Sequence, residues 1–374
     1  MRQEIDEHYD DPHPKKALRM AAYQELDMVG YSDGPWLPHS TNCAKIKFKK
    51  DEYAKPGKPG RCIGDLTVHQ SLKGFRISEF FKKAMAQSDY YNTGHRAHFC
   101  SSPKFADMKE VFDNLISPPE DVYFVYFSDD SCISFRDAGR VRTFNVDISK
   151  CDASHRHIFS LLYHYLPPEL HDDVRQLIQQ LELPMKVQLG KRSVVLKCET
   201  PVLYSGSTLT TILNNLAEIC FMIELVKTHG PPEERIETAF RNAGYQATAE
   251  ECNLIEDIQF LKHSPVLVDG VYVPVLNPGV FLRASGTCRG DLPGRGNLRR
   301  RAELFQAGLA HSFYPHTRFT LVDASRRDDY TIVDPPYYNL GEHPPMTLDD
   351  AHLYRRYRLT SAEIEELNYY FREA

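Results

Sequence analysis

The chain has 374 residues, with 45 Lys+Arg against 51 Asp+Glu and a formal net charge of -6. That length allows two or three domains, and 42% hydrophobic with 26% charged residues reads as a globular chain, not a disordered one. The mild acidity argues against a non-specific nucleic-acid coat but not against an enzyme that handles nucleic acid in a locally basic channel. Nine Cys, from Cys43 to Cys288, form no C-x-x-C pair and read as reduced thiols. No apolar run approaches the ~18 residues needed to span a bilayer, and the charged start Met1-Arg2-Gln3-Glu4 carries no secretory h-region.

In chain order, residues 45–61 come first, with seven Lys/Arg and two acids. Lys45–Lys49 alternates like a strand, and Pro56, Gly57, Pro59 and Gly60 turn the remainder into a loop. Residues 75–86 carry a helical pattern. Residues 122–148 predict three consecutive strands: Val122–Phe127, Ser131–Phe135 and Val141–Ile148. They are joined by turns at Ser128-Asp129-Asp130 and Asp137-Ala138-Gly139-Arg140. A helix is expected from Asp152 or Ser154, both good N-caps, with Ile158, Leu161, Leu162 and Leu166 on its apolar face. Glu169–Leu183 reads as a further helix, and Val187–Leu189 with Val194–Leu196 as a hairpin. The longest helical pattern runs from about Thr208 to Lys227, with Leu209, Ile212, Leu213, Leu216, Ile219 and Ile223 on one stripe. Glu233–Asn242 and Ser361–Phe371 complete the helices. The whole predicts an α+β fold in which helices interrupt a small antiparallel sheet.

Three groups of residues point to chemistry. Asp129 and Asp130 stand at the tip of a hydrophobic hairpin. Asp147 and Asp152 form a D-x4-D pattern that joins a strand end to a helix start, where Asp152 also suits an N-cap. Ser205, Gly206, Thr210 and Asn214 form S-G-x3-T-x3-N, a loop at the mouth of a helix followed by polar residues one turn apart. If the third strand pairs antiparallel beside the hairpin, Asp147 comes next to Asp129. Carboxylates that close repel each other unless divalent cations lie between them, and hard oxygen ligands suit Mg2+ or Mn2+. A two-metal carboxylate site, a polar helix face for a sugar and a basic loop for a triphosphate are the equipment of nucleotidyl transfer.

On these residues the sequence resembles the viral RNA-dependent RNA polymerases. D-x4-D resembles palm motif A, S-G-x3-T-x3-N resembles motif B, and Phe127-Ser128-Asp129-Asp130 resembles motif C, usually G-D-D. The stretch with Lys50, Glu52, Lys58 and Arg61 resembles fingers motif F, and Phe260-Leu261-Lys262 resembles motif E. Motif C here precedes A, which precedes B. That permuted order resembles permutotetravirus polymerases and, more distantly, those of birnaviruses, which typically carry A-D-N at motif C. The segment Gly244–Glu250, where motif D falls, has no Lys, which leaves a general acid unassigned.

The resemblance implies a right-hand polymerase with an RRM-like antiparallel palm sheet in permuted connectivity. Fingers would occupy 1–120, palm 121–265 and thumb 266–374. Only 44 residues precede the basic stretch, so the fingers are short or the chain is a piece of a longer protein. The resemblance further implies Mg2+ or Mn2+ (two ions) on Asp129, Asp130 and Asp147, and ribose contacts from Asp152, Ser205 and Asn214 with Gly206 and Thr210 in support. Lys50, Lys58 and Arg61 would face the triphosphate and Lys262 the primer strand. NTPs, an RNA template, a primer or product strand and other viral replication proteins would be the partners, in the host cell cytoplasm. Arg289, Arg295, Arg299, Arg300 and Arg301 form a cluster suited either to an RNA backbone or to a solvated helix face. His95, His98 and Cys100 have a loose metal-like spacing without a fourth ligand, and His155 and His157 read as structural. A reverse transcriptase is the nearest alternative, opposed by Asp152, where that family wants a bulky residue. A non-catalytic polymerase-derived RNA-binding subunit is the other, opposed by the retention of all three metal carboxylates.

Overall fold

The computed structural model describes residues 42–48, 62–66, 74–85, 89–189, 192–197, 199, 203, 205–279, 340, 344, 348 and 350–366. Lys50, Lys58, Arg61 and the cluster from Arg289 to Arg301 lie outside the described residues. Strands β1 (Asn42–Phe48) and β2 (Cys62–Leu66) are followed by helix α1 (Phe75–Met85). Next come β3 (Tyr90–Asn92), β4 (His95–Phe99) and α2 (Phe105–Ile116), none of which the sequence reading anticipated. The three expected strands follow as β5 (Val122–Phe127), β6 (Asp130–Asp137) and β7 (Arg140–Ile148). Helices α3 (Cys151–Ser154), α4 (Ile158–Tyr165) and α5 (His171–Glu182) lead to the hairpin β8 (Met185–Leu189) and β9 (Arg192–Leu196). Then come α6 (Thr210–Leu225), α7 (Pro232–Asn242), β10 (Ala247–Glu251), the hairpin β11 (His263–Val268) and β12 (Val271–Leu276), and α8 (Ala351–Tyr357). Residues 361–366 are helical. No helix among the described residues is long and apolar enough to cross a membrane.

The chain divides into two compact units, Met1–Asp89 with Phe127–Asp129 and Ile148–Thr248, and Tyr90–Tyr126 with Asp130–Asp147 and Ala249–Ala374. In the first, β2-β1-β8-β9 form a four-stranded sheet, and β1 lies parallel to β8. Helix α6 is the centre of this unit. Its apolar stripe was expected on one side, yet Ile212 to Glu218 are all buried, Asn214, Asn215 and Glu218 included. The helix is covered around most of its circumference, so Thr210 and Asn214 do not share an open polar face. Phe221 stacks on Phe240 of α7, with ring centroids 3.9 Å apart. The single helix expected after Asp152 is two. His155 leaves helical geometry at φ -62°, ψ 118° and ends α3.

The second unit is built on the six-stranded sheet β10-β7-β6-β5-β4-β3. Strand β5, Val-Tyr-Phe-Val-Tyr-Phe, lies between β4 and β6 and is buried at every position except Phe127. A strand covered on both faces reads as a continuous apolar run, not an alternation. The sheet is mostly antiparallel. β4 and β5 form a parallel pair, and α2 is the crossover that a parallel connection requires. Ser134 Oγ of β6 donates to Leu115 O of α2 at 2.7 Å, which ties that crossover to the sheet.

A candidate nucleotidyl-transfer site

Strands β5 and β6 meet at a two-residue turn, Ser128-Asp129, so the expected pair of turn carboxylates is split. Asp129 is exposed in the turn, and Asp130 is the first residue of β6. Strand β7 runs antiparallel to β6 with Asp147 opposite Asp130. The cross-strand neighbour of Asp147 is therefore Asp130, not Asp129 as the sequence suggested, because the turn uses one residue fewer than assumed. Residues directly opposite on adjacent strands hold their Cβ atoms about 5 Å apart on one face. Asp147 is exposed and Asp130 half-buried, so the rung presents two carboxylates at the end of the sheet.

Ser128 has φ +59°, a left-handed conformation that costs a non-glycine residue roughly 1–2 kcal/mol. Two consecutive asparagines of α6 hold it there. The Ser128 N–H donates to Asn215 Oδ1 at 2.7 Å, and Asn214 Nδ2 donates to Ser128 Oγ at 3.2 Å. The Ser128 hydroxyl accepts one of these bonds and its backbone N–H makes the other, so both halves of the residue help to secure the strained turn.

Asn214 also donates to Asp152 Oδ1 at 3.3 Å. The two residues that the D-x4-D and S-G-x3-T-x3-N patterns singled out are in direct contact. Asp152 is not the N-cap of α3. That place belongs to Lys150, at φ +52°, and Asp152 lies in the first turn, where the helix dipole favours an acid. Ser205 and Gly206 form a turn ahead of α6, and Thr210 is its first residue. Lys262 belongs to the second unit. Leu261 and Lys262, at φ +45° and +67°, turn the chain between Phe260 and His263, whose backbones exchange hydrogen bonds of 3.0 and 2.9 Å.

Behind Asn214 lies a buried polar group that the sequence reading took as structural. His155 Nε2 is 2.9 Å from Asn214 Oδ1, and its Nδ1 is 3.0 Å from the Tyr245 hydroxyl. Cys151 Sγ donates to the same Asn214 oxygen at 3.3 Å. Burial lowers the His155 pKa below its ordinary 6.5, against the raising effect of the Asn214 hydrogen bond and together with the charge of His157, which also lowers it. Burial likewise raises the Tyr245 phenol, with Cys151, Cys220 and Glu218 adding to the effect, so the hydroxyl keeps its proton. The ring of His157 lies against Gly244, where a Cβ would meet its Cε1 at 2.5 Å and where φ is +86°. Ser128, Asn215, His155 and Tyr245 were not read as site residues. Ser128 stands within the Phe127–Asp130 pattern, while Asn215, His155 and Tyr245 carry no signal of their own, because their partners lie far along the chain, Tyr245 being 90 residues from His155.

Among the described residues, no group of three or more His, Cys, Asp or Glu side chains is arranged to hold a metal ion. The carboxylate donors at the hairpin are of the kind that hard divalent cations prefer.

No family model matches the chain, and no curated protein does. Among solved structures, a chain of the birnavirus VP1–VP3 complex matches over 83% of this chain and 45% of its own length, at 13% identity and a TM-score of 0.51. The RNA polymerase VP1 of Infectious Pancreatic Necrosis Virus matches over 68% of this chain and 39% of its own, at 13% identity and a TM-score of 0.47. The Sicinivirus 3Dpol RNA-dependent RNA polymerase matches over 92% and 71%, at 16% identity and a TM-score of 0.45. The chain spans less than half the length of the birnavirus chains that it matches. In fold it resembles the matched chain of the birnavirus VP1–VP3 complex.

Proposed function

We propose that the chain synthesises RNA on an RNA template, with its palm motifs in the order C, A, B. The observation that supports this most is the hairpin itself: Asp130 opposite Asp147, Asp129 in the turn, and that turn secured by the motif B asparagines. One sheet can be threaded in more than one order and still bring the same strands side by side. In this reading the fingers take 1–120, the palm 121–265 and the thumb 266–374.

The residues fit a hard divalent cation by donor type. Asp129, Asp130 and Asp147 would hold Mg2+ or Mn2+. When bound, such ions lower the pKa of an attacking hydroxyl and stabilise charge on a leaving phosphate oxygen. The carboxylates orient the primer 3′-OH toward the α-phosphate of an incoming NTP. Lys50, Lys58 and Arg61 neutralise the triphosphate by charge-assisted hydrogen bonds. Asp152, Asn214 and Ser205 bind the ribose 2′-OH, Gly206 and Thr210 shape that contact, and Lys262 holds the primer strand. Template, primer and other replication proteins are bound within a viral replication complex in the host cytoplasm.

The test is primer extension on an RNA template with Mn2+. The wild-type chain incorporates NTPs in preference to dNTPs. Asp129→Ala, folded by circular dichroism, incorporates none. Undiminished incorporation by that variant overturns the assignment.

A further inference from the structure

The polar group behind Asn214 has a direction. Asn214 Oδ1 faces the Cys151 thiol and His155 Nε2, while its Nδ2 faces Asp152 Oδ1 and Ser128 Oγ. Turning the amide over would set its carbonyl against a carboxylate and its NH2 against a thiol donor. With Oδ1 as acceptor, His155 Nε2 carries the ring proton. Nδ1 then has the lone pair, and the Tyr245 hydroxyl donates to it. The donors run one way: Tyr245 O–H to His155 Nδ1, His155 Nε2–H to Asn214 Oδ1, Asn214 N–H to Asp152 and Ser128.

Each member is held. His155 is 1% exposed, Tyr245 3% and Asn214 2%. The His155 and Tyr245 rings pack edge to face with centroids 5.7 Å apart. His155 is also the residue at which the backbone leaves α3, so its ring reaches α6 from a break in the helix. The backbone N–H of Tyr245 donates to Phe240 O at 2.8 Å, which anchors the phenol to the end of α7.

We propose that Tyr245 and His155 are positioning residues that hold the Asn214 amide with its NH2 toward Asp152, and that they thereby set the discrimination between ribo- and deoxyribonucleotides. The proposal rests on the polymerase reading above, in which Asp152 and Asn214 meet the ribose 2′-OH. A buried amide locked by a donor behind it cannot rotate to suit a sugar that lacks the hydroxyl. Rejection by an unpaired buried polar group is the strongest discrimination a binding site offers. Without the lock, the amide turns and the 2′-OH loses a fixed partner.

The experiment compares kcat/KM for GTP and dGTP on an RNA template with Mn2+ in the wild type and in His155→Leu, His155→Gln, Tyr245→Phe and Asn214→Ala. His155→Leu fills the space without a donor, and its GTP/dGTP ratio falls roughly tenfold or more. Asn214→Ala falls alike, and the double variant falls no further, because residues acting through one contact are not additive. His155→Gln, whose amide supplies a donor near the Nε2 position, restores most of the ratio. Tyr245→Phe, which frees the other tautomer, lowers it by a smaller factor and serves as the test if His155→Leu does not fold. An unchanged ratio in His155→Leu (or in Tyr245→Phe, where that serves as the test) beside a lowered one in Asn214→Ala overturns the proposal. So does an equal loss on GTP and dGTP, which is the mark of packing alone. If Asn214→Ala leaves the ratio unchanged, both the proposal and the ribose role of Asn214 fall. If the wild type incorporates neither nucleotide, the polymerase reading fails. The positioning is then read from the Asn214 side-chain amide resonances: a shift in His155→Leu that His155→Gln reverses supports it, and an unmoved amide overturns it.

Discussion

Ser128 carries the clearest lesson at the scale of single residues. Its φ of +59° costs energy that its two bonds to Asn214 and Asn215 offset. Ser128→Ala keeps the strain and loses the Oγ acceptor, and urea unfolding should show a loss of about 1–3 kcal/mol. Ser128→Gly loses the same acceptor but relieves the strain, so it should cost less than the alanine variant. The reverse order would mean that the turn conformation is not limiting. His155 gives a pH dependence. Its folded pKa lies below the unfolded 6.5, so the unfolded chain takes up the proton first. That part of the stability is fully present above about pH 6.5 and is lost as the pH falls from there toward the folded pKa. The titratable groups around the ring are Cys151, His157 and Tyr245. The unfolding free energy of the wild type should drop on acidification below about pH 6.5 more steeply than that of His155→Leu. Parallel curves would sink this.

Among the elements, the expected strands and helices matched wherever periodicity or turn chemistry was strong. The hairpins at 122–148, the helix over Thr210–Leu225 and the β8–β9 pair all form. The β11–β12 hairpin was missed although Asp269-Gly270, at φ +49° and +82°, is a strong tight-turn signal. The turn at Leu261-Lys262 has the same backbone with unsuited residues, at φ +45° and +67°. Lys262→Gly should raise stability by up to about 1 kcal/mol in thermal unfolding. If Lys262 holds the primer, the same variant should raise the KM for primer. A stabilised variant with an unchanged KM would make Lys262 a turn residue only.

For the molecule as a whole, the net charge of -6 takes on a different meaning. Positive charge is concentrated at 45–61 and 289–301 in the sequence, and part of the acidity is gathered at one hairpin, with Asp147 opposite Asp130 and Asp129 beside it. A cation held there should stabilise the chain by mass action, about 1.4 kcal/mol at ten times its Kd. Mn2+ should therefore raise the Tm of the wild type and leave that of Asp147→Ala unmoved. Equal shifts in both would place the metal elsewhere.

The sequence alone determined which residues stand in the hairpin, in D-x4-D and in S-G-x3-T-x3-N, because short-range patterns of turn and strand residues are local. It could not determine that Asp147 faces Asp130, that Asp152 lies within a helix turn instead of capping it, or that Asn214 is buried between Cys151, His155, Asp152 and Ser128. Register depends on how many residues a turn consumes. The burial of a polar side chain depends on partners 59 to 86 residues away. Only the packed chain decides both, since a buried polar side chain is stabilised by the partners that packing brings to it.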